Sequence, residues 1–160
     1  MKFPTARGRA RTGSRVTLPD DLRGEQTLVV LSFHQRQRSL VNSWRQFAEE
    51  LCDRFEHFEY YEVVVVGSRS GMLPPSTSGG MSPANARQHL HENTIVLSVD
   101  KAAFRRQLGL LDEQTIYAVL LEDGYVVRQA AGVLTPSTAE ALESLLEDYR
   151  DEKSRSNGSQ

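Results

Sequence analysis

The chain has 160 residues, of which 39% are hydrophobic. This length and composition are enough to bury one substantial core, and the chain is too short for two domains. Its formal net charge of −2 argues against a chain-wide nucleic-acid footprint, so no nucleic-acid partner is expected. No apolar run reaches the roughly 18 to 20 residues that span a bilayer, so no transmembrane segment is expected. The single cysteine, Cys52, excludes an intrachain disulfide and fits a reducing cytoplasm.

The two ends of the chain differ in composition from its middle. The first 15 residues carry five positive charges and no acid, which is typical of a solvated terminus, and we predict a flexible basic arm over residues 1–15. Contact of this arm with an anionic surface, and organelle targeting, are the alternatives. Residues 151–160 have nothing to bury and are predicted to form a disordered tail, which leaves one domain over residues 16–150.

Hydrophobic patterning predicts the following elements in chain order. Apolar and β-branched runs favour strands at 27–33, 60–66, 94–97, 116–121 and 125–128. Amphipathic stretches predict helices at 40–58, 84–91, 100–108 and 135–150. The density of glycine, proline and serine predicts a long loop at 68–82, and Asp123-Gly124 predicts a tight hairpin turn. This order describes a mixed sheet with helices on both faces.

Two segments carry a family resemblance, TLPDDLRGEQTLVVLSF at 17–33 and IYAVLLEDGYVVRQAAG at 116–132. Together with the element order, they resemble the thioredoxin superfamily, nearest its peroxiredoxin-like (AhpC/TSA-like) branch, over roughly residues 16 to 149. The resemblance implies an α/β three-layer sandwich, with a mixed central sheet, helices on both faces and a C-terminal β-hairpin plus helix.

The resemblance also indicates where redox chemistry would lie. The two thioredoxin cysteines fall five and eight residues past the aromatic that closes the first predicted strand, at Arg38 and Val41. The peroxiredoxin pattern has a proline, then a threonine or serine, and then a cysteine. These three positions fall on Gln35, Ser39 and Asn42, so only the serine is kept. Because the chemistry needs a thiolate at a helix N-terminus, these positions predict no catalytic residue.

Two further features bear on the redox question. The loop that carries a cis-proline in thioredoxin-like redox proteins reads Glu113-Gln114-Thr115, where trans peptide bonds are expected. Cys52 lies more than two turns beyond the start of its predicted helix, on the flank of the apolar stripe, and we interpret it as a packing residue.

A narrower resemblance rests on four short motifs, GGM, LGL, IYAVLL and RQAAG, at 79–81, 108–110, 116–121 and 128–132. They are similar to the cysteine-free, thioredoxin-like assembly factors of the mitochondrial ATP synthase. The resemblance implies that the fold acts on another protein.

Polar residues at the carboxyl end of the first strand form the candidate binding surface, because ligands bind at this edge of open α/β sheets and anions favour helix N-termini. In a thioredoxin-like fold these residues lie beside the loop before the hairpin. The predicted binding residues are His34, Gln35, Arg36, Arg38, Ser39, Gln114 and Thr115.

Metal and cofactor chemistry have little support in the sequence. The histidines of His89-x-His91 would point to different faces of a helix, so neither a metal nor another cofactor is expected.

The leading hypothesis is a redox-inactive, non-enzymatic module that binds another protein or aids complex assembly, as a cytoplasmic monomer or weak oligomer. Peripheral membrane association stays open. The alternative is a thioredoxin- or peroxiredoxin-type antioxidant or oxidoreductase using Cys52 or a partner's thiol.

Overall fold

A computed structural model describes residues 1–67 and 92–158, with side chains up to residue 155. Its strands form one sheet in the order β2-β1-β5-β4-β3-β6-β7. The strands are β1 Ala6–Ala10, β2 Arg15–Leu18, β3 Gln26–Ser32, β4 Phe58–Gly67, β5 Thr94–Val99, β6 Tyr117–Glu122 and β7 Tyr125–Ala131. The helices are α1 Arg38–Arg54, α2 Lys101–Leu108 and α3 Pro136–Gly158. The predicted loop at 68–82 and helix at 84–91 lie outside the described residues.

The sheet is mixed, as the sequence predicts. Strand β3 is buried along its whole length and pairs in parallel with β4, which pairs in parallel with β5. On its other side β3 pairs antiparallel with β6, and the hairpin turn at Asp123 and Gly124 leads into β7. The expectation of parallel strands followed by a C-terminal hairpin and helix is confirmed.

Two cores lie on opposite faces of this sheet. On one face, Trp44 and Leu51 of α1 and Leu146 of α3 pack on β3, β4 and β6. On the other face, Phe104 and Leu108 of α2 pack on the same strands. Helices therefore cover both faces of the sheet, and the predicted α/β three-layer sandwich is confirmed.

The N-terminal segment is ordered, which corrects the predicted flexible arm over residues 1–15. Strand β1 lies between β2 and β5 in the sheet, and the Phe3 side chain is buried in the core. Gly8 permits this packing, because a Cβ there would lie 2.3 Å from the Val96 carbonyl oxygen. The small residues of β1 face inward and its arginines face outward, so the pairing needs no large apolar side chain.

The helix boundaries differ from the predictions at two places. The first helix ends at Arg54, Phe55 caps it in an extended conformation, and Phe58 begins β4. The last helix continues to Gly158, which corrects the predicted disordered tail over residues 151–160 for its described part. Lys153 on this extension forms an ion pair with Glu25 at 3.0 Å.

Candidate functional site

The connection from β3 to α1 is held by one buried amide side chain. Residues Gln35–Gln37 form a 3₁₀ turn between the strand and the helix. The Gln37 side chain accepts hydrogen bonds through Oε1 from the backbone N–H groups of Phe33 at 2.8 Å and His34 at 3.2 Å. Its Nε2 donates to the Glu113 carbonyl oxygen at 2.8 Å. Gln37, which sequence reasoning missed, therefore joins the β3–α1 loop to the α2–β6 loop.

A second set of polar contacts joins the same loops through the start of α2. The Lys101 Nζ donates to the Phe33 carbonyl oxygen at 3.0 Å. The Glu113 carboxylate lies 4.0 Å from Lys101 Nζ and 3.9 Å from Arg105 Nε. The Phe33 ring also meets the Tyr117 ring edge to face, with centroids 6.3 Å apart. The two loops thus form one connected surface at the end of the sheet.

The β3–α1 and α2–β6 loops contact each other through some of the predicted binding residues. Arg36 Nη2 donates to Gln114 Oε1 at 3.3 Å, so these two predicted binding residues contact each other. Thr115 is half-buried and makes no hydrogen bond to residues 34–39 within the described chain. The sequence-predicted binding role of these residues stays a prediction.

The predicted binding residues differ in exposure. Gln35, Arg36 and Ser39 are exposed, whereas His34 is half-buried. Arg38, the first residue of α1, is also half-buried. This burial lowers the pKa of its guanidinium, while the carboxylate of Glu62 opposes the shift. Arg38 is therefore less available to a partner than its sequence position suggests.

One apolar side chain stands out on this surface. Leu111, in the α2–β6 loop, is 87% exposed, and its carbonyl oxygen accepts a hydrogen bond from Arg105 Nη1 at 3.0 Å. Sequence reasoning missed this residue, because Leu110 and Leu111 are adjacent and their pattern gives no sign of which of the two is buried. The exposed leucine adds an apolar contact to an otherwise polar surface.

The positions of the redox cysteines in the family pattern hold no thiol. Arg38 is the first residue of α1, Val41 is buried in the core against the sheet, and Asn42 is exposed. In the described chain the cis peptide bond is Leu18–Pro19, so the bonds at 113–115 are trans, as predicted.

Cys52 has an environment that suppresses thiolate formation. It is half-buried on the flank of α1 and packs against the core that contains Trp44. Burial, with the negative charges of Glu59, Asp53 and Glu49 adding to it, raises the pKa of its thiol to about 11. Because the thiolate is the nucleophile, a thiol with this pKa is almost wholly protonated at neutral pH.

An ion pair that the sequence analysis does not predict joins Arg45 of α1 to the buried Glu62 of β4. Arg45 Nε and Nη2 contact the two carboxylate oxygens of Glu62 at 2.6 and 2.7 Å. Tyr60 donates its hydroxyl hydrogen to Glu62 Oε2 at 2.8 Å. Glu62 is 4% exposed, and these contacts satisfy its charge, as burial of a carboxylate requires.

The described residues contain neither a membrane-spanning helix nor a metal-binding cluster. In the described ranges, no helix is long and apolar enough to cross a membrane. Within the same part of the chain, no cluster of three or more His, Cys, Asp or Glu side chains is arranged to hold a metal ion. His89 and His91 lie outside the described residues.

Comparisons with solved structures place this architecture among thioredoxin-like proteins. The pneumococcal exposed lipoprotein thioredoxin Etrx1 from Streptococcus pneumoniae is 16% identical with a TM-score of 0.56, over 91% of this chain and 99% of that one. BsSco, a member of the Sco family of cytochrome c oxidase assembly proteins, is 14% identical with a TM-score of 0.61, over 92% of each chain. Peroxiredoxin Q from Xanthomonas campestris is 14% identical with a TM-score of 0.52, over 89% and 90%.

At these identities the similarity establishes the fold, and the chain has a thioredoxin-like fold with a single cysteine. No protein-family model matches the chain. No curated protein matches it in sequence either.

Proposed function

We propose that the protein is a redox-inactive thioredoxin-like module that binds another protein, in the manner of a complex-assembly factor. The observation that carries the proposal is the surface formed by the β3–α1 and α2–β6 loops, which is built from polar contacts and an exposed leucine. This surface adjoins the start of α1, where the family resemblance places the redox cysteines and this chain has none. Function is argued from the site because one fold hosts many activities.

The environment of Cys52 supports the redox-inactive part of this proposal. Its raised thiol pKa and half-buried position oppose both attack on a disulfide and attack on a peroxide. The competing oxidoreductase function would have to use this thiol or a partner's thiol, because Cys52 is the only cysteine in the chain.

The chemistry of the surface indicates the kind of partner. Helix α1 has no acidic residue in its first turn, so its positive end is not neutralised locally. The Arg36 guanidinium lies beside this end, and Leu111 supplies apolar area on the neighbouring loop. A partner segment with a carboxylate next to an apolar side chain matches this combination. The Sco family, described as cytochrome c oxidase assembly proteins, makes an assembly role compatible with the fold.

The test is affinity capture from cells with the full chain and quantified partners. Arg36→Glu and Leu111→Ser should each reduce the captured partner roughly five- to tenfold, which corresponds to about 1 to 1.4 kcal/mol of binding free energy. Arg128→Glu and Val133→Ser serve as matched controls, because both residues are exposed and lie on or after β7.

Measurements at two salt concentrations and of stability show whether a loss of capture comes from the changed surface and not from unfolding. Raised salt should reduce the advantage of the wild-type chain over Arg36→Glu, since exposed charges are screened. All four variants should unfold within about 0.5 kcal/mol of the wild type, because exposed substitutions cost little. If Arg36→Glu and Leu111→Ser capture the same partners as the wild type at low salt, this surface is not the binding site.

A further inference from the structure

The β1–β2 hairpin has an outer face made of arginines. Arg7 and Arg9 are exposed on β1, between small residues that face the sheet. In the antiparallel register Arg7 lies opposite Thr17 and Arg9 lies opposite Arg15, so Arg15 is on the same face. Arg11, at the start of the turn, is also exposed. The hairpin thus presents four guanidinium groups within a short two-stranded ribbon.

These charges are close together and lack acidic partners. Residues two apart on a strand are separated by about 6.6 to 6.8 Å, and directly opposed Cβ atoms by about 4.5 to 5.5 Å. The opposed pair Arg9 and Arg15 is therefore repulsive. Within the described chain none of the four arginines forms an ion pair. Arg9 instead donates from Nη1 to the Gly13 carbonyl oxygen at 3.0 Å, and Asp21 accepts from the Thr17 backbone.

The hairpin holds this face in place, and its charge differs in sign from that of the rest of the chain. Strand β1 pairs on both sides, with β2 and β5, so the arginines stand on an ordered element rather than on a flexible arm. Residues 6–18 contain four arginines and no acid, a charge of +4, while the rest of the chain has a formal charge of −6 against the total of −2. Because β2 is an edge strand, the positive face lies at one edge of a largely acidic molecule.

We propose that this face binds the headgroups of an anionic phospholipid bilayer. Guanidinium groups pair with phosphate oxygens through two parallel hydrogen bonds. A planar anionic surface can meet the hairpin, because β2 is at the edge of the sheet. A nucleic acid fits less well, because residues 6–18 contain no aromatic side chain on which a base could stack. The turn at residues 12–14 is small and polar, so adsorption is electrostatic and reversible.

The test measures cosedimentation of the full chain with two kinds of vesicle, pure phosphatidylcholine and phosphatidylcholine with about one third phosphatidylglycerol. Binding is expected only to the anionic vesicles and only at low salt. The variant R7Q/R11Q/R15Q should partition on the order of 100-fold less, since each basic residue near such a surface contributes about fivefold. Arg9 is retained because it bonds to the turn.

Two further variants test whether binding depends on the arginine face itself and not on the net charge or the folding of the protein. R106Q/R128Q/R155Q removes the same charge from exposed arginines elsewhere and should partition within a few-fold of the wild type. R7K/R11K/R15K retains the charge on the hairpin and should keep most of the binding.

The outcomes that would overturn the proposal are distinct from those of the partner-capture test. They are no binding to anionic vesicles at low salt, equal binding to both kinds of vesicle, or equal loss in the two glutamine variants. Binding to a polyglutamate peptide or to single-stranded RNA without binding to vesicles would assign the face to another class of partner and would also reject the lipid proposal.

Discussion

The Gln37 side chain connects two loops that are 76 residues apart in sequence, with its Nε2 donating to the Glu113 carbonyl oxygen at 2.8 Å. The other end of the same amide accepts from two backbone N–H groups, those of Phe33 and His34. Gln37 is 2% exposed, so all three groups that it satisfies depend on one side chain. The amide combines a donor and an acceptor at the length that the gap between the loops requires.

Replacement of Gln37 by alanine should destabilise the protein by about 1 to 3 kcal/mol, because buried backbone groups lose their partner. Gln35→Ala, at an exposed neighbour, should change the free energy of unfolding by less than about 0.5 kcal/mol. Chemical denaturation monitored by circular dichroism measures both. Equal stability of the two variants would mean that water replaces the Gln37 amide.

Local sequence patterns were sufficient for the central part of the fold. Strands β3 to β7 have apolar or β-branched runs, and α1 has an apolar stripe, so their periodicity is visible without tertiary information. The hairpin of β1 and β2 was missed because its inward residues are mainly small and its outward residues are arginines, a composition that favours neither a core nor a strand. Its order depends on pairing with β5, nearly 90 residues away.

The candidate site was predictable only at the level of topology. The meeting of Arg36 with Gln114 follows from the order of the strands, since both loops leave the same end of the sheet. The side chains that lock the loops together could not be identified, because a polar residue near a turn has the same local pattern whether it is solvated or buried. Gln37 and Lys101 are examples, and their partners are 76 and 68 residues away.

Trp44 is expected to be the most sensitive position on α1. It is fully buried, and its Nε1 donates to the Gly132 carbonyl oxygen at 2.9 Å. Trp44→Ala should cost about 3 to 5 kcal/mol, because it removes a large ring from the core. Trp44→Phe should cost less, about 1 to 3 kcal/mol, since it mainly leaves the Gly132 carbonyl without its donor. Circular dichroism is the appropriate probe, because Trp44 is the only tryptophan. Costs below about 1 kcal/mol for both variants would contradict the packing described here.

The Arg45–Glu62 pair should be costly to break from the arginine side. Arg45→Met leaves the Glu62 carboxylate buried with only the Tyr60 hydroxyl as its partner among these contacts. This change should destabilise the protein by roughly 2 to 3 kcal/mol. The cost is below the full range for buried pairs because the Arg45 side chain is 33% exposed. The double variant R45M/E62Q should recover part of this loss, because the uncompensated charge is gone.

Arg54, an exposed residue whose guanidinium lies 3.6 Å from the carboxylates of Glu143 and Glu147, is the control for this experiment. Arg54→Met should cost less than about 1 kcal/mol. A double variant that is as unstable as Arg45→Met would show that the unpaired charge of Glu62 is not the cause.

Cys52 should react slowly with alkylating reagents in the folded protein. With its thiol pKa raised to about 11, the thiolate fraction at pH 8 is on the order of 100-fold smaller than for an ordinary cysteine. The rate of iodoacetamide labelling, followed by mass spectrometry, should rise about tenfold per pH unit between pH 7 and 10, with the chain unfolded in guanidinium chloride as the reference.

Disulfide-reductase and peroxidase activities should be at background in the wild type and unchanged in Cys52→Ser. Rapid labelling at pH 7, or thiol-dependent turnover lost in Cys52→Ser, would restore the oxidoreductase hypothesis.

Glu25 should make the attachment of the C-terminal part of α3 dependent on pH. Its carboxylate accepts a hydrogen bond from the Tyr149 hydroxyl and pairs with Lys153 Nζ at 3.0 Å, while His57 Nδ1 lies 3.9 Å away. The Tyr149 hydrogen bond first, and then Lys153, hold the pKa of Glu25 below its ordinary value of 4.5.

A carboxylate with a lowered pKa contributes stability that is fully present above its unfolded pKa and is lost as the pH falls through the folded pKa. The melting temperature of the wild type should therefore exceed that of Glu25→Gln above about pH 5, and the margin should shrink progressively below about pH 4.5. Glu140→Gln, at an exposed position on the same helix, should show no such trend. A margin that stays constant down to pH 3 would mean that Glu25 acts through its shape or its neutral hydrogen bonds and not through its charge.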